Sequence, residues 1–214
     1  MGWATPQYDR REVNAAGDCL IANAQLITLM RRDEMLAVIN NWRSSHSFPL
    51  QSFKTTLLRR AKKVDHQAIV AQRLKRLSSI SAKLHRFPDM KLSQMQDIGG
   101  CRAVVENLGC VERLVKLYTK GRSKNPTKRH EFLNSKDYIL SPKIDGYRSV
   151  HLIYRYRSRS KKHGVYSGLK IEIQLRSKLQ HACKPWPGTS PRSQRYSILC
   201  ERRPTSRLAV VPVR

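Results

Sequence analysis

The chain has 214 residues, enough for one domain with a real core or one domain with a tail. Lys and Arg number 42 against 15 acids, a formal charge of +27, so the expected partners are polyanions: nucleotides, RNA or an acidic surface. A disulfide scaffold, a zinc site and a membrane span are all disfavoured. The five cysteines (Cys19, Cys101, Cys110, Cys183, Cys200) are odd in number, form no C-x-x-C and stand at no zinc-like spacing from histidine, which points to free thiols in the cytoplasm. No basic-then-apolar leader opens the chain. The most apolar early run, Cys19 to Met30, is broken by Asn23 and Gln25 and is too short for a bilayer. The charge is uneven: residues 155–214 hold 15 cations and 2 acids, so 13 of the 27 net charges lie there.

Met1 to Asn14 is polar and poorly patterned. From Leu20 onward apolar residues recur at helical spacing through Ile27, Met35, Leu36, Ile39 and Trp42, which predicts one long helix or two ending near Arg43. Ser44 to Pro49 has breaker composition. A helix over about Gln51 to Lys63 would turn Phe53, Leu57 and Leu58 inward, and Asp65 would cap a third helix carrying Ile69, Val70, Leu74 and Leu77. Trp42 and Phe53 read as core rather than as ligand platforms. The basic run from Arg73 to Lys83 is taken as more helix. Lys75, Ser79 and Lys83 would then share a face at i,i+4 spacing, either a solvated basic surface or a grip on phosphate oxygens.

Phe87-Pro88 ends that helix, and Asp97-Ile-Gly99-Gly100-Cys101-Arg102 leads into a β-branched strand. A carboxylate at a strand mouth suits a divalent cation; an aspartate before a glycine turn is the plainer alternative. Val111 to Tyr118 is an amphipathic helix, and Gly121 to His130 a basic, turn-rich loop.

The densest chemistry lies in Lys136-Asp-Tyr-Ile-Leu-Ser-Pro-Lys143-Ile-Asp145-Gly146-Tyr147-Arg148-Ser149-Val-His151, which runs straight into an apolar strand, Val150 to Tyr156. Cations for phosphate, an aromatic face for a base and a glycine where the backbone bends suit a phosphorylated, ring-bearing ligand. On that strand His151 faces away from Leu152, Tyr154 and Tyr156. A hairpin-like connection, Arg157 to Gly168, leads to the next strand, Leu169 to Arg176. There Ile171, Ile173 and Leu175 face the core, while Glu172, Gln174 and Arg176 share the other side. Glu172, a lone acid among cations, is a candidate metal ligand or general base; an ion pair with Arg102 or Arg155 is the alternative. Ser177 to Ala182 opens a last helix. From Cys183 the composition turns to Pro, Arg and Ser without period, which reads as a basic disordered tail. Neither a P-loop nor a G-x-G-x-x-G is present.

Together these segments resemble the synthetase domain of the RelA/SpoT family, the (p)ppGpp alarmone synthetases. Four elements stand in the family's order: Arg73-x-Lys75-x-x-x-Ser79-x-x-x-Lys83; Asp97-Ile-Gly-Gly-Cys-Arg102; Lys136 through Lys143, Asp145, Tyr147 and His151; and Glu172-Ile-Gln174-Leu-Arg176-Ser-x-x-x-His181. The resemblance implies an α+β, nucleotidyltransferase-like mixed sheet flanked by helices, with an N-terminal helical segment (1–66), the synthetase unit (67–182) and the tail (183–214). It implies transfer of the β,γ-pyrophosphate of ATP to the 3′-hydroxyl of GDP or GTP. Arg73 and Arg102 would sandwich adenine, and Lys75, Ser79 and Lys83 would hold the ATP phosphates. Asp97 and Glu172 would bind Mg²⁺, Glu172 also acting as the base. Tyr147 would stack on the acceptor guanine, with Lys136, Lys143, Asp145 and His151 around it and Gln174 and Arg176 in support.

The family's bifunctional members carry a hydrolase marked by a His-Asp pair; no such dipeptide occurs here, so synthesis without hydrolysis is expected. Where the family continues after the last helix with a Trp-bearing helix and an acid, this chain has Cys183-Lys-Pro185. That is a divergent or truncated end, with reduced or lost activity as the expected consequence if the missing helix braces the acceptor site. Two other functions fit the charge: toxin-like pyrophosphorylation of a tRNA 3′ end, and RNA binding by a pseudoenzyme remnant. ATP and GDP or GTP are the expected partners, with tRNA and a second copy of the chain as candidates and no membrane.

Overall fold

In the computed structural model, which describes residues 2–22, 29–119, 130–144 and 146–182, Asp9 starts the first helix, α1 (Arg10–Ile21). Its carboxylate accepts the backbone N–H of Arg11 and Glu12, and the Glu12 side chain accepts the N–H of Asp9 at 2.6 Å. This reciprocal cap turns the unpatterned N-terminus into a helix. Helix α2 (Leu29–Ser45) and helix α3 (Ser47–Val64) meet at His46, whose ring nitrogen lies 2.7 Å from the carbonyl of Trp42. The expected break at Ser44 to Pro49 is this joint. Pro49 sits inside the first turn of α3, where its missing N–H costs no helical hydrogen bond. Leu50, Phe53, Leu57 and Ala61 form the buried stripe of α3, and Trp42 is buried as expected, whereas Leu58 is exposed.

The expected third helix is instead a strand, β1 (Ile69–Leu74); helix α4 (Leu77–Arg86) begins only after it. Asp65 caps the C-terminal end of α3, and its carboxylate accepts the N–H of Gln67 and of Glu106, which pins the turn into β1. Lys75 therefore precedes α4 and does not share its face; only Ser79 and Lys83 keep the i,i+4 relation.

Strand β2 (Gly99–Val105), helix α5 (Leu108–Thr119), strand β3 (Glu131–Asp137), strand β4 (Val150–Arg155), strand β5 (Lys170–Ser177), helix α6 (Lys178–Ala182) and two short 3-10 helices, Leu92–Gln94 and Lys161–Tyr166, complete the described elements. The strands form one mixed sheet in the order β1-β2-β5-β4-β3, with β2 and β5 parallel and the other neighbours antiparallel. Loop residues 121–129, Asp145 and the tail from Cys183 lie outside the described residues.

The pleat sorts the sheet into two faces. Cys101, Ile173 and Leu152 stand in one register row and point to the helices; the Cys101 thiol reaches the Leu50 carbonyl at 3.7 Å. Helices α3 and α5 touch each other and cover this face. The adjacent row crosses all five strands as Ala71, Arg102, Gln174, His151 and Lys136, and belongs to the other face. Val13 of α1 and Ile39 of α2 join the same hydrophobic core as the sheet, so the N-terminal helices brace the unit rather than standing apart. Among the described residues no helix is long and apolar enough to cross a membrane.

Candidate functional site

The side chains of the second face converge at the C-terminal end of β1, the start of β2 and the middle of β5. A cleft there is lined by Arg73, Asp97, Gly100, Arg102, Glu172 and Gln174, together with Ala71, Gln72 and Cys101 of β1 and β2. Gly100 stands opposite Glu172 in the parallel pair; a Cβ there would meet nothing nearer than the Glu172 carbonyl at 3.9 Å. The glycine thus leaves the cleft open beside the acid.

Asp97 sits one residue before Ile98, just ahead of β2, and holds two cations. Lys75 Nζ donates to Oδ2 at 2.8 Å and Lys83 Nζ donates to Oδ1 at 2.9 Å. Burial pushes the carboxyl up, but the two ammoniums outweigh it and hold Asp97 below the usual carboxylate range. Lys75 is itself buried, and its backbone is fixed by its N–H to the Ile98 carbonyl and by Arg43 Nε donating to its carbonyl at 2.9 Å. Ser79 lies one turn before Lys83 on α4.

Glu172 is the second acid. His151 Nδ1 lies 2.8 Å from Oε1, and Gln174 Nε2 donates to Oε2 at 2.7 Å. Burial raises its pKa and Asp97 adds to that, but the hydrogen bonds from His151 and Gln174 prevail and hold the Glu172 carboxyl below its ordinary range. The ion pairs considered from sequence do not form: Arg102 Nε and Nη2 donate to Gln174 Oε1 at 3.2 and 3.1 Å, and Arg155 pairs with Glu131. Arg73 and Arg102 share the face and feel each other's charge. Burial first, then Arg176, holds the Arg102 guanidinium below its usual range.

Tyr147 stands at the far side. Its hydroxyl lies 2.7 Å from His151 Nε2, Arg176 Cζ lies 4.2 Å from its ring centroid, and Lys143 Nζ lies 4.9 Å away. Arg176 is 2 % exposed, its Nε has no hydrogen-bond partner, and its guanidinium lies over the Tyr147 ring. Gly146 takes φ +75° and donates its N–H to the Lys143 carbonyl, which makes the turn that delivers both side chains. Lys136 is exposed on β3 directly opposite His151. The structure therefore gathers Arg73, Lys75, Lys83, Asp97, Arg102, Glu172 and Gln174 around one cleft and Tyr147, His151, Arg176, Lys143 and Lys136 beside it.

One aromatic was missed. Tyr138 meets His151 edge-on at 5.0 Å and Tyr147 at 5.8 Å, and Lys143 Nζ lies 4.8 Å from its ring. Its position two residues after Lys136 in the charged stretch was the available signal.

Among the described residues no group of three or more His, Cys, Asp or Glu could hold a metal alone. The pair Asp97 and Glu172 nonetheless fits Mg²⁺. Both are ionised oxygen donors on one cleft, and this cation commonly takes one or two carboxylates and completes its shell with water and substrate phosphates.

A mixed sheet bearing two acids among Lys and Arg side chains has the donor set that suits phosphorylated ligands. The family model for the region found in RelA / SpoT proteins matches residues 72–185, more than half the chain, and the chain belongs to that family. Its fold is similar to that of small alarmone synthetase 1 from Bacillus subtilis bound to its product pppGpp: TM-score 0.61, 20 % identity, 74 % of this chain and 89 % of that one covered. Small alarmone synthetase 2 from the same organism matches with TM-score 0.54 and 23 % identity over 67 % of this chain and 74 % of the other. A GTP pyrophosphokinase family protein from Streptococcus pneumoniae matches with TM-score 0.52 and 22 % identity over 70 % and 79 %. No curated protein sequence matches the chain.

Proposed function

We propose that this chain is a small alarmone synthetase that transfers the β,γ-pyrophosphate of ATP to the 3′-hydroxyl of GDP or GTP, working in the cytoplasm with its described cysteines as free thiols. The observation that carries the reading is the meeting of Asp97 and Glu172 on one cleft, each acid ionised and each ringed by cations or neutral donors. Arg73 and Arg102, on one face of β1 and β2, would take the adenine between them. Lys75, Lys83 and Ser79 would hold the triphosphate, the lysines leaving Asp97 for phosphate oxygens. Tyr147, framed by Lys143 and Arg176, would stack on the guanine, and Lys136 on the strand beside His151 would meet acceptor phosphates. Asp145 keeps its proposed acceptor role from the sequence alone.

In the step itself the acceptor 3′ oxygen bonds to the β-phosphorus, and the bond from that phosphorus to the α–β bridging oxygen breaks. AMP leaves with the bridging oxygen, and the hydroxyl proton passes to the Glu172 carboxylate. Such transfer needs in-line placement and cancellation of negative charge more than covalent help, which a ring of cations supplies. Asp97 and Glu172 would hold Mg²⁺, whose charge would add to that cancellation.

The test is AMP release from ATP and Mg²⁺ with GDP, GTP or tRNA as acceptor. AMP and a 3′-diphosphorylated guanosine with GDP or GTP are expected; AMP only with tRNA, or none with any acceptor, refutes the reading. Glu172→Gln should lower turnover by about 10²–10⁴-fold with ATP binding kept, the usual effect of losing a general base. Turnover near the wild-type value would remove Glu172 from that role.

A further inference from the structure

Glu172 is the middle of a continuous hydrogen-bonded chain of five side chains. Its oxygens are taken one each by His151, at 2.8 Å, and Gln174, at 2.7 Å. Neither donor is free to choose its orientation. The carboxylate only accepts, so the imidazole proton on Nδ1 must face Glu172. That leaves Nε2, 2.7 Å from the Tyr147 hydroxyl, as the acceptor of the phenol proton in the neutral ring. At the other end the Gln174 amide is fixed with equal force: its Oε1 accepts two N–H groups of Arg102, so its NH2 must point at Glu172. The same register row that brings Arg102, Gln174 and His151 together across β2, β5 and β4 makes the chain a property of the sheet.

We infer that His151 and Gln174 are positioning residues that hold the Glu172 carboxylate in its reactive orientation, each locked in turn by a side chain that faces a substrate base, Tyr147 at one end and Arg102 at the other. This rests on the synthetase reading given above. The Tyr147 hydroxyl then has a role separate from its ring: the ring meets the acceptor base, and the hydroxyl, donating to Nε2, holds in place the imidazole whose Nδ1–H faces the acid.

The hydroxyl can be removed without the ring. Tyr147→Phe should fold with the wild-type melting temperature and bind a non-hydrolysable ATP analogue as before. Its kcat should fall by about tenfold, the effect of losing one hydrogen bond next to a charged group, while the acceptor KM stays within about twofold. His151→Asn keeps an N–H donor in the Nδ1 position and lacks Nε2, so it should retain more turnover than His151→Ala. In its background Tyr147→Phe should cost nothing further, because the group it acts through is gone. Gln174→Glu can still accept from Arg102 but cannot donate to Glu172, so kcat should fall while the KM for ATP is kept; Gln174→Leu should impair both.

Three results would overturn the inference in an active wild-type chain. They are an unchanged kcat in Tyr147→Phe, a loss carried wholly by acceptor KM, and full additivity of Tyr147→Phe with His151→Asn. An inert wild-type chain would instead refute the synthetase reading and this inference with it, so the two failures are distinguishable.

Discussion

Asp97→Asn separates the structural from the chemical work of the first acid. Asp97 is 21 % exposed and Lys75 only 11 %, so their pair is screened far less than a surface ion pair. Each carboxylate oxygen serves a different ammonium, at 2.8 and 2.9 Å. An asparagine keeps one acceptor oxygen and turns an NH2 toward the other lysine. One charge-assisted hydrogen bond is lost, about 1.5–3 kcal/mol, and the other weakens, while Lys83 can swing toward water and recover part of the loss. A net cost of about 2 kcal/mol corresponds to a fall in Tm of about 4–8 °C for a chain of this size. The sign with pH follows from the cations: they hold Asp97 below its ordinary 3.8. A carboxylate with a lowered folded-state pKa stabilises above its unfolded pKa and loses that contribution as pH falls through the folded value. The Tm gap between wild type and variant should therefore be steady from about pH 7 to about pH 5 and shrink below about pH 4. Scanning calorimetry across that range measures it. Tripolyphosphate without metal gives a second reading. In the wild type it must compete with Asp97 for the lysines, so it should raise the Tm of the variant more. A gap under about 1 °C at neutral pH, or one that persists undiminished near pH 3, would refute the account of Asp97 as the lysines' anchor.

The paired glycines should separate in the same spirit. Gly99→Ala would put a Cβ 2.8 Å from Ile171 Cδ1 and 3.4 Å from His46 Cβ, and should cost about 1–3 kcal/mol in urea denaturation. Gly100→Ala meets nothing in the protein closer than 3.9 Å, so it should fold normally, but its methyl would enter the cleft and raise the KM for ATP. Asp65→Ala leaves the N–H groups of Gln67 and Glu106 without their carboxylate and should lower stability by about 1–2 kcal/mol, with faster hydrogen exchange at both amides.

The three central strands were legible in the sequence, and the two edge strands were not. In β5 the alternation of Ile171, Ile173 and Leu175 with Glu172, Gln174 and Arg176 is the physical alternation of a sheet with helices on one side and a charged cleft on the other. An edge strand has no such obligation. Ile69 is 62 % exposed on β1, so its apolar character carries no information about a core, and Ile69, Val70, Leu74 and Leu77 fit a helix as well as a strand. On β3 no residue is fully buried, and the run Glu131 to Asp137 shows no apolar face. The α1 cap is the run Asp9-Arg-Arg-Glu12, set in a stretch whose polar composition shows no helical period. The candidate site residues could be named from identity and spacing, and the structure brings those it describes to one face of the sheet. Their partners could not: that Glu172 meets His151 and Gln174, and not Arg102 or Arg155, depends on the register of three strands.

The parallel pairing of β2 with β5 also fixes when the centre can come into being. Arg102 and Gln174 touch although 72 positions separate them, and β5 must enter between β2 and β4. Contacts of such span form only after long loop closure, so this seam belongs to the slow, late part of folding. During synthesis the nascent chain has its lysines and the first acid long before the second, and until the fifth strand docks it is a basic polypeptide without a reaction centre.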